Sequence, residues 1–161
     1  MLMPVNTTEI AASRGVWLIH CDGSAFPNPG NMGLGAIITA PDGTLNKLSL
    51  PAAGKGCNNE AEARAMMAAV QHAKQLGATS VRVHSDSRVV VDQLTGDGSQ
   101  PIARLDALFT ELKALLATFD EATVRWIPQH RNHEADTLAR TAAGLPPRPV
   151  ARPAKGKATR R

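Results

Sequence analysis

Residues 16–21 form a short, nearly continuous apolar run, the pattern of a strand buried on both faces. Residues 33–40 make a second strand. Pro41-Asp42-Gly43-Thr44 then forms a turn, because Pro presets φ and Gly accepts positive φ. Residues 45–50 return as a third strand, so the first three are predicted to be an antiparallel meander. Asn58 or Asn59 is predicted to cap a helix reaching about Leu76, with Ala65, Met66, Ala69, Val70, Ala73 and Leu76 on its core face and Gly77 as its stop. Residues 81–85 read as a fourth strand, and a short helix over 87–94 ends at Gly96. Pro101 opens another helix, whose apolar stripe is Ile102, Leu105, Leu108, Leu112, Leu115 and Phe119. Residues 123–127 form a fifth strand, halted by Pro128. Asn132 caps a last helix that carries Ala135, Leu138, Ala139 and Ala142 and ends at Gly144. A meander followed by βαβ units predicts an α/β fold with a five-stranded mixed sheet. Strands 1–3 are antiparallel, strands 4 and 5 run parallel to strand 1, and helices pack on both faces.

This pattern covers residues 15–144, one domain. Residues 1–14 are polar and expected to be loose, and residues 145–161 form a Pro-rich basic stretch expected to be a disordered tail. The split changes the meaning of the net charge of +4 over 161 residues. Residues 1–144 carry 12 Lys/Arg and 14 Asp/Glu, whereas 145–161 carry six basic residues and no acid. The folded part is therefore slightly acidic and the positive charge belongs to the tail. Three Phe, two Trp and no Tyr leave no broad aromatic platform for stacking single strands. No run approaches the roughly 18 apolar residues of a membrane span, and the start lacks a signal-peptide pattern, so a cytoplasmic protein without a membrane partner is expected. Cys21 and Cys57 have no metal-site spacing and are expected as two reduced, buried thiols.

The chemistry lies in the acids. Asp22 follows the first apolar run and Asp86 follows the fourth strand. A right-handed crossover makes those strands parallel and adjacent, so both carboxylates are expected at one sheet edge, where open α/β sheets bind ligands. Glu62 and Asp136 lie in the first turns of two helices expected to start at that edge. Four converging carboxylates raise each other's pKa, and a hard divalent cation, Mg²⁺ or Mn²⁺, relieves the repulsion. Two ions about 3.5–4 Å apart form a phosphodiester-hydrolysing site.

The surrounding motifs resemble type 1 ribonucleases H. Asp22-Gly23-Ser24-Ala25 with Asn28-Pro29-Gly30 and Gly33-x-Gly35 is similar to the opening of that family. Asn58-Asn59-Glu60-Ala61-Glu62 resembles its Asn-Asn-x-x-Glu helix start. Ser85-Asp86-Ser87 with Val89, Val90 and Gln93 resembles its third motif, and Trp126-Ile127-Pro128, His130, Asn132 and Ala135-Asp136-x-Leu138-Ala139 its fourth. The four motifs occur in order across residues 16–144. The resemblance implies a ribonuclease H-like fold and an endonuclease that cuts the RNA strand of RNA–DNA hybrids with two metal ions, leaving 5′-phosphates. It implies Asp22, Glu62, Asp86 and Asp136 as metal ligands and catalytic groups, with Glu62 rather than Glu60 as the helix acid. It implies His130 as a proton-transfer or product-release group. Asn28, Asn58 and Asn59 match positions that contact RNA, where amides can bond 2′-hydroxyls. Gly23 and Ser24 expose backbone to the substrate.

The chain also departs from the family. Residues 89–103 contain no Lys, Arg or Trp, so the basic protrusion of several members is absent and the tail is the expected substitute. Cys57 stands where many members place a Thr for a DNA phosphate. Lys55 and the amides of residues 56–58 are expected to compensate. A monomer is expected. The alternative reading is a non-catalytic module of the same fold that binds hybrid or double-stranded RNA, which four unpartnered carboxylates disfavour.

Overall fold

The computed structural model describes residues 15–96 and 100–149. The predicted N-terminal segment and most of the predicted tail, residues 150–161, lie outside the described residues. Five strands, β1 (Val16–Phe26), β2 (Gly30–Thr39), β3 (Leu45–Gly56), β4 (Ser80–Ser85) and β5 (Glu121–Trp126), form one sheet in the order β3-β2-β1-β4-β5. Four helices accompany them: α1 (Asn58–Gln75), α2 (Arg88–Thr95), α3 (Asp106–Leu116) and α4 (His133–Ala142). β1 pairs antiparallel with β2 and β2 with β3, while β4 runs parallel to β1 and β5 to β4, as the pattern predicts. Among the described residues no helix is long and apolar enough to cross a membrane.

Strands outrun their apolar patterns, β1 and β3 by the most, while β2 starts at Gly30 rather than Gly33 and β5 at Glu121 rather than Thr123. β1 continues through Asp22-Gly23-Ser24 because β2 pairs with it as far as Phe26 opposite Asn31. Asp22 therefore lies inside the strand, not after it. β3 continues to Gly56 and carries Pro51 opposite Gly33. Proline is tolerated there because β3 is an edge strand.

Paired residues share a face, and neighbours along a strand alternate faces. One face carries Ile19, Cys21, Ile38, Val81 and Val83. It packs on Ala65, Met66, Ala69, Val70 and Ala73 of α1 and on Phe109 and Leu112 of α3. Leu76 falls outside this core at 40% exposed; the buried stripe of α1 begins earlier instead, at Ala61 and Ala63. α4 covers the opposite face, where Gly33 and Gly35 of β2 meet its backbone. A Cβ on Gly33 would lie 2.1 Å from the Ala139 carbonyl oxygen, and one on Gly35 2.4 Å from that of Ala135.

The helix starts depart from the predicted caps. Cys57 caps α1, its Sγ accepting the Glu60 N–H at 3.4 Å. It does not meet the expectation of a buried thiol, because it is only partly buried, whereas Cys21 is buried. Asn58 is occupied elsewhere, because its Oδ1 accepts the Ala25 N–H at 2.9 Å. Asn132 precedes α4 without capping it through its side chain. Pro101 precedes the next helical segment, which begins as a 3-10 turn at Ala103–Leu105.

Gly23 faces α1 so closely that a Cβ would lie 2.1 Å from Ala61 C and 2.3 Å from Glu62 N. Gly23→Ala is expected to cost about 3 kcal/mol of stability, measured by urea denaturation, because the start of α1 must move away.

Candidate active site

The β1–β4 register places Cys21 beside Ser85, so Asp22 and Asp86 emerge next to each other at the same end of two parallel strands. Glu62 reaches them from α1, where its Oε2 accepts the Gly23 N–H at 3.2 Å. Asp22, Glu62 and Asp86 each offer an oxygen within 4.8 Å of the others. Asp136, on the first turn of α4, presents its carboxyl group to Asp22 from the opposite face of the sheet. All four line one cavity of about 280 Å³. Glu60 turns away and pairs with Arg64 at 3.1 Å, whereas Glu62 lines the cavity.

Burial and mutual repulsion dominate the electrostatics. Loss of hydration pushes Asp22 up to about 8, and the charges of Asp86 and Asp136 act in the same direction. Burial, then the charge of Asp22, holds Glu62 well above the usual carboxylate range. Asp86 is raised less, again mainly by burial, and the amide of Asn132 opposes the rise. That amide links the elements: Asn132 Nδ2 donates to the Cys21 carbonyl at 2.9 Å and to Asp86 Oδ2 at 3.4 Å. The backbone carbonyl of Asp86 accepts from Trp126 Nε1 at 3.1 Å, and the Arg88 guanidinium sits 3.9 Å above the Trp126 ring. Burial and the same acids push the Cys21 thiol up, which keeps it protonated and unreactive.

The cluster's donors are all carboxylate oxygens, partly desolvated and mutually repelling. That set fits a hard divalent cation such as Mg²⁺ or Mn²⁺.

The predicted substrate residues separate into two groups. Gly23, Ser24 and Asn58 line the acidic cavity. Asn28 Oδ1 accepts the Asn58 N–H at 3.0 Å, so the two asparagines tie the end of β1 and the turn after it to the start of α1. Asn59 is half-buried on α1, and Lys55 is exposed near the end of β3. His130 does not border the acidic cavity, where its neighbour Gln129 lies. It lines an adjoining cavity of about 500 Å³ with His20, His133 and Glu134. His20 stacks on His84 at 4.5 Å between ring centroids, and burial lowers the pKa of both. Cys57 accepts from Arg104 Nη2 at 3.2 Å.

Two side-chain contacts at the site are not given by the sequence pattern. Asn132 resembles a cap in sequence, yet its side chain bridges β1 and Asp86. Arg148 falls in the predicted tail, yet its Nε donates to both Asp136 oxygens, at 3.3 and 3.2 Å. An Arg after Pro-Pro is no signal on its own, since its partner lies a helix away in the chain.

Carboxyl groups raised in the folded state bind protons that the unfolded chain releases. Stability without divalent ions is therefore greatest below about pH 4 at these groups and is lost as pH rises toward 8. In chelator, the melting temperature is expected to fall by several degrees between about pH 5 and pH 9. Asp22→Asn is expected to flatten that slope in the same calorimetric scan.

A family model described as reverse transcriptase-like matches residues 20–142. The bifunctional protein Rv2228c of Mycobacterium tuberculosis is 37% identical over 126 residues, which cover 78% of this chain and 35% of the relative. The chain thus spans about a third of that relative's length. Ribonuclease HI of Halobacterium salinarum is 32% identical over 143 residues, covering 86% of this chain and 71% of the relative. The crystal structure of RNase H1 from that archaeon superimposes with a TM-score of 0.76 at 29% identity, covering 81% of this chain and 98% of that one. The structure of LC11-RNase H1 in complex with RNA/DNA hybrid gives 0.72 at 27% identity, over 80% and 96% of the two chains. With the strand order, the four acids and these relatives in agreement, the chain belongs to the type 1 ribonuclease H family.

Proposed function

We propose that the protein is an endonuclease that hydrolyses the RNA strand of RNA–DNA hybrids with two divalent metal ions. The observation that carries this reading is the convergence of Asp22 from β1, Glu62 from α1, Asp86 from the turn after β4 and Asp136 from α4 on one cavity. A site built only to hold phosphates would be cationic, because phosphate neutralisation dominates nucleic-acid affinity. The hybrid-bound relative supports the substrate class.

Asp22, Glu62, Asp86 and Asp136 would hold Mg²⁺ or Mn²⁺. Metal held by these residues would supply an activated water for in-line attack and charge stabilisation for the leaving 3′-oxygen. The protein's own groups orient the site. The Gly23 N–H fixes Glu62, Asn132 fixes Asp86, and the Asn28–Asn58 pair anchors the turn after β1. Ser24 and Asn58 border the cavity where a 2′-hydroxyl distinguishes RNA from DNA. Lys55, exposed near the end of β3, is available for a substrate phosphate. The five basic residues of 150–161 add phosphate contacts that the absent protrusion would otherwise make.

The test incubates the purified chain with strand-labelled hybrid, RNA duplex and DNA duplex in Mg²⁺, Mn²⁺ or chelator. Cutting of the hybrid's RNA strand alone, abolished by chelator, is expected. Asp22→Asn, Glu62→Gln, Asp86→Asn and Asp136→Asn are each expected to lower kcat by about a hundredfold or more. His130→Ala is expected to lower it by less than about tenfold, because His130 borders the adjoining cavity. Hybrid binding without cutting under any metal would overturn the enzyme reading in favour of a binding module.

A further inference from the structure

The first residues of the predicted tail make specific contacts with α4. The Leu145 N–H donates to the Arg140 carbonyl at 2.8 Å, and Arg140 Nε donates to the Pro146 carbonyl at 2.8 Å. These two bonds turn the chain back along α4. Pro146 and Pro147 follow, and each ring fixes φ and removes an N–H, so the segment continues stiffly and without internal hydrogen bonds. It delivers Arg148 into the acidic cavity, where Nε bonds both oxygens of Asp136. The partners differ in exposure: the Arg148 side chain is 49% exposed and that of Asp136 4%. A cation on a solvated strap therefore neutralises a buried member of the metal-binding set.

We propose that residues 145–149 form a latch, in which Arg148 competes with a divalent cation for Asp136 so that metal loading releases the strap from the cleft. This rests on the metal-site reading above. Arg148 Nε occupies both oxygens of Asp136, so a cation that takes those oxygens must displace it, and a half-exposed arginine pair holds only weakly. The latch is thus set to yield. It neutralises Asp136 when metal is scarce and gives way when metal is abundant. The apparent affinity for metal is reduced by the fraction of molecules whose latch is open, as for any ligand whose competent state is only partly populated. The strap also borders the cavity beside Gly23, Ser24 and Asn58, so the closed latch occupies one wall of the space a substrate backbone must approach.

Two measurements on the full chain test this. Mn²⁺ titration by calorimetry compares the unmodified protein with Arg148→Ala and Pro147→Gly. Arg148→Ala is expected to bind about fivefold more tightly, the effect of removing a weak competing pair. Pro147→Gly keeps the charge and loosens its delivery, and is expected to fall between the two. In parallel, the Arg148 Nε–H resonance, assigned by its loss in Arg148→Ala, is followed by ¹⁵N NMR during Mg²⁺ titration. It is expected to shift toward the position of an exposed arginine. Equal Mn²⁺ affinities would overturn the latch while leaving the metal site intact. So would a gain in Arg148→Ala alone with an unmoved resonance, since distant charge repulsion would then explain it. Absence of saturable binding in all three proteins would overturn the metal-site reading together with the latch.

Discussion

Carboxylates cannot be crowded and dried without some countervailing attraction, and this constraint organises the molecule. Asp22 and Asp136 are nearly inaccessible, and the charges around Asp22 are of its own sign. Each remedy visible in the structure is partial. Protons stay on Asp22 far above their usual range, the Gly23 N–H faces Glu62, the Asn132 amide faces Asp86, and Arg148 faces Asp136. None carries a double positive charge. The repulsion that remains is carried by a scaffold with a continuous, alanine-rich core between the sheet and α1.

Much of this was legible along the chain. The order of elements follows from alternating apolar runs and turn residues. The adjacency of Asp22 and Asp86 follows from the handedness of a single crossover. The strand limits were harder to read because hydrophobic pattern reports burial, whereas strand length is set by pairing. Polar Asp22-Gly23-Ser24 stays in β1 because β2 is there to bond it. Pro51 stays in β3 because only one side of an edge strand must donate.

Side-chain polar contacts formed the other illegible class. Asn58 and Asn132 both stand where a helix cap belongs, and an asparagine's local options are visible in sequence. Their actual partners, Ala25 N–H for one and the Cys21 carbonyl and Asp86 for the other, lie tens of residues away. Cys57 capped α1 in place of Asn58, a role for which a thiol gives little sequence signal. The same holds for Arg148, whose composition-based surroundings suggest disorder while its partner is a buried acid on the preceding helix. The placement of His130 beside His20 and Glu134, away from the acids, likewise depends on the direction of a short turn that periodicity does not specify.

The glycines of β2 have a consequence for anyone moving this site to another scaffold. Because Gly33 and Gly35 let α4 rest its backbone directly on the strand, the position of Asp136 relative to Asp22 is set by main chain against main chain. No layer of rotatable side chains lies between them to absorb error. Grafting the four acids onto a similar sheet without that bare track would hold the helix at ordinary packing distance and leave one carboxylate out of reach. The transferable unit is therefore the acids together with two missing side chains, and the latter are invisible in any inventory of functional groups.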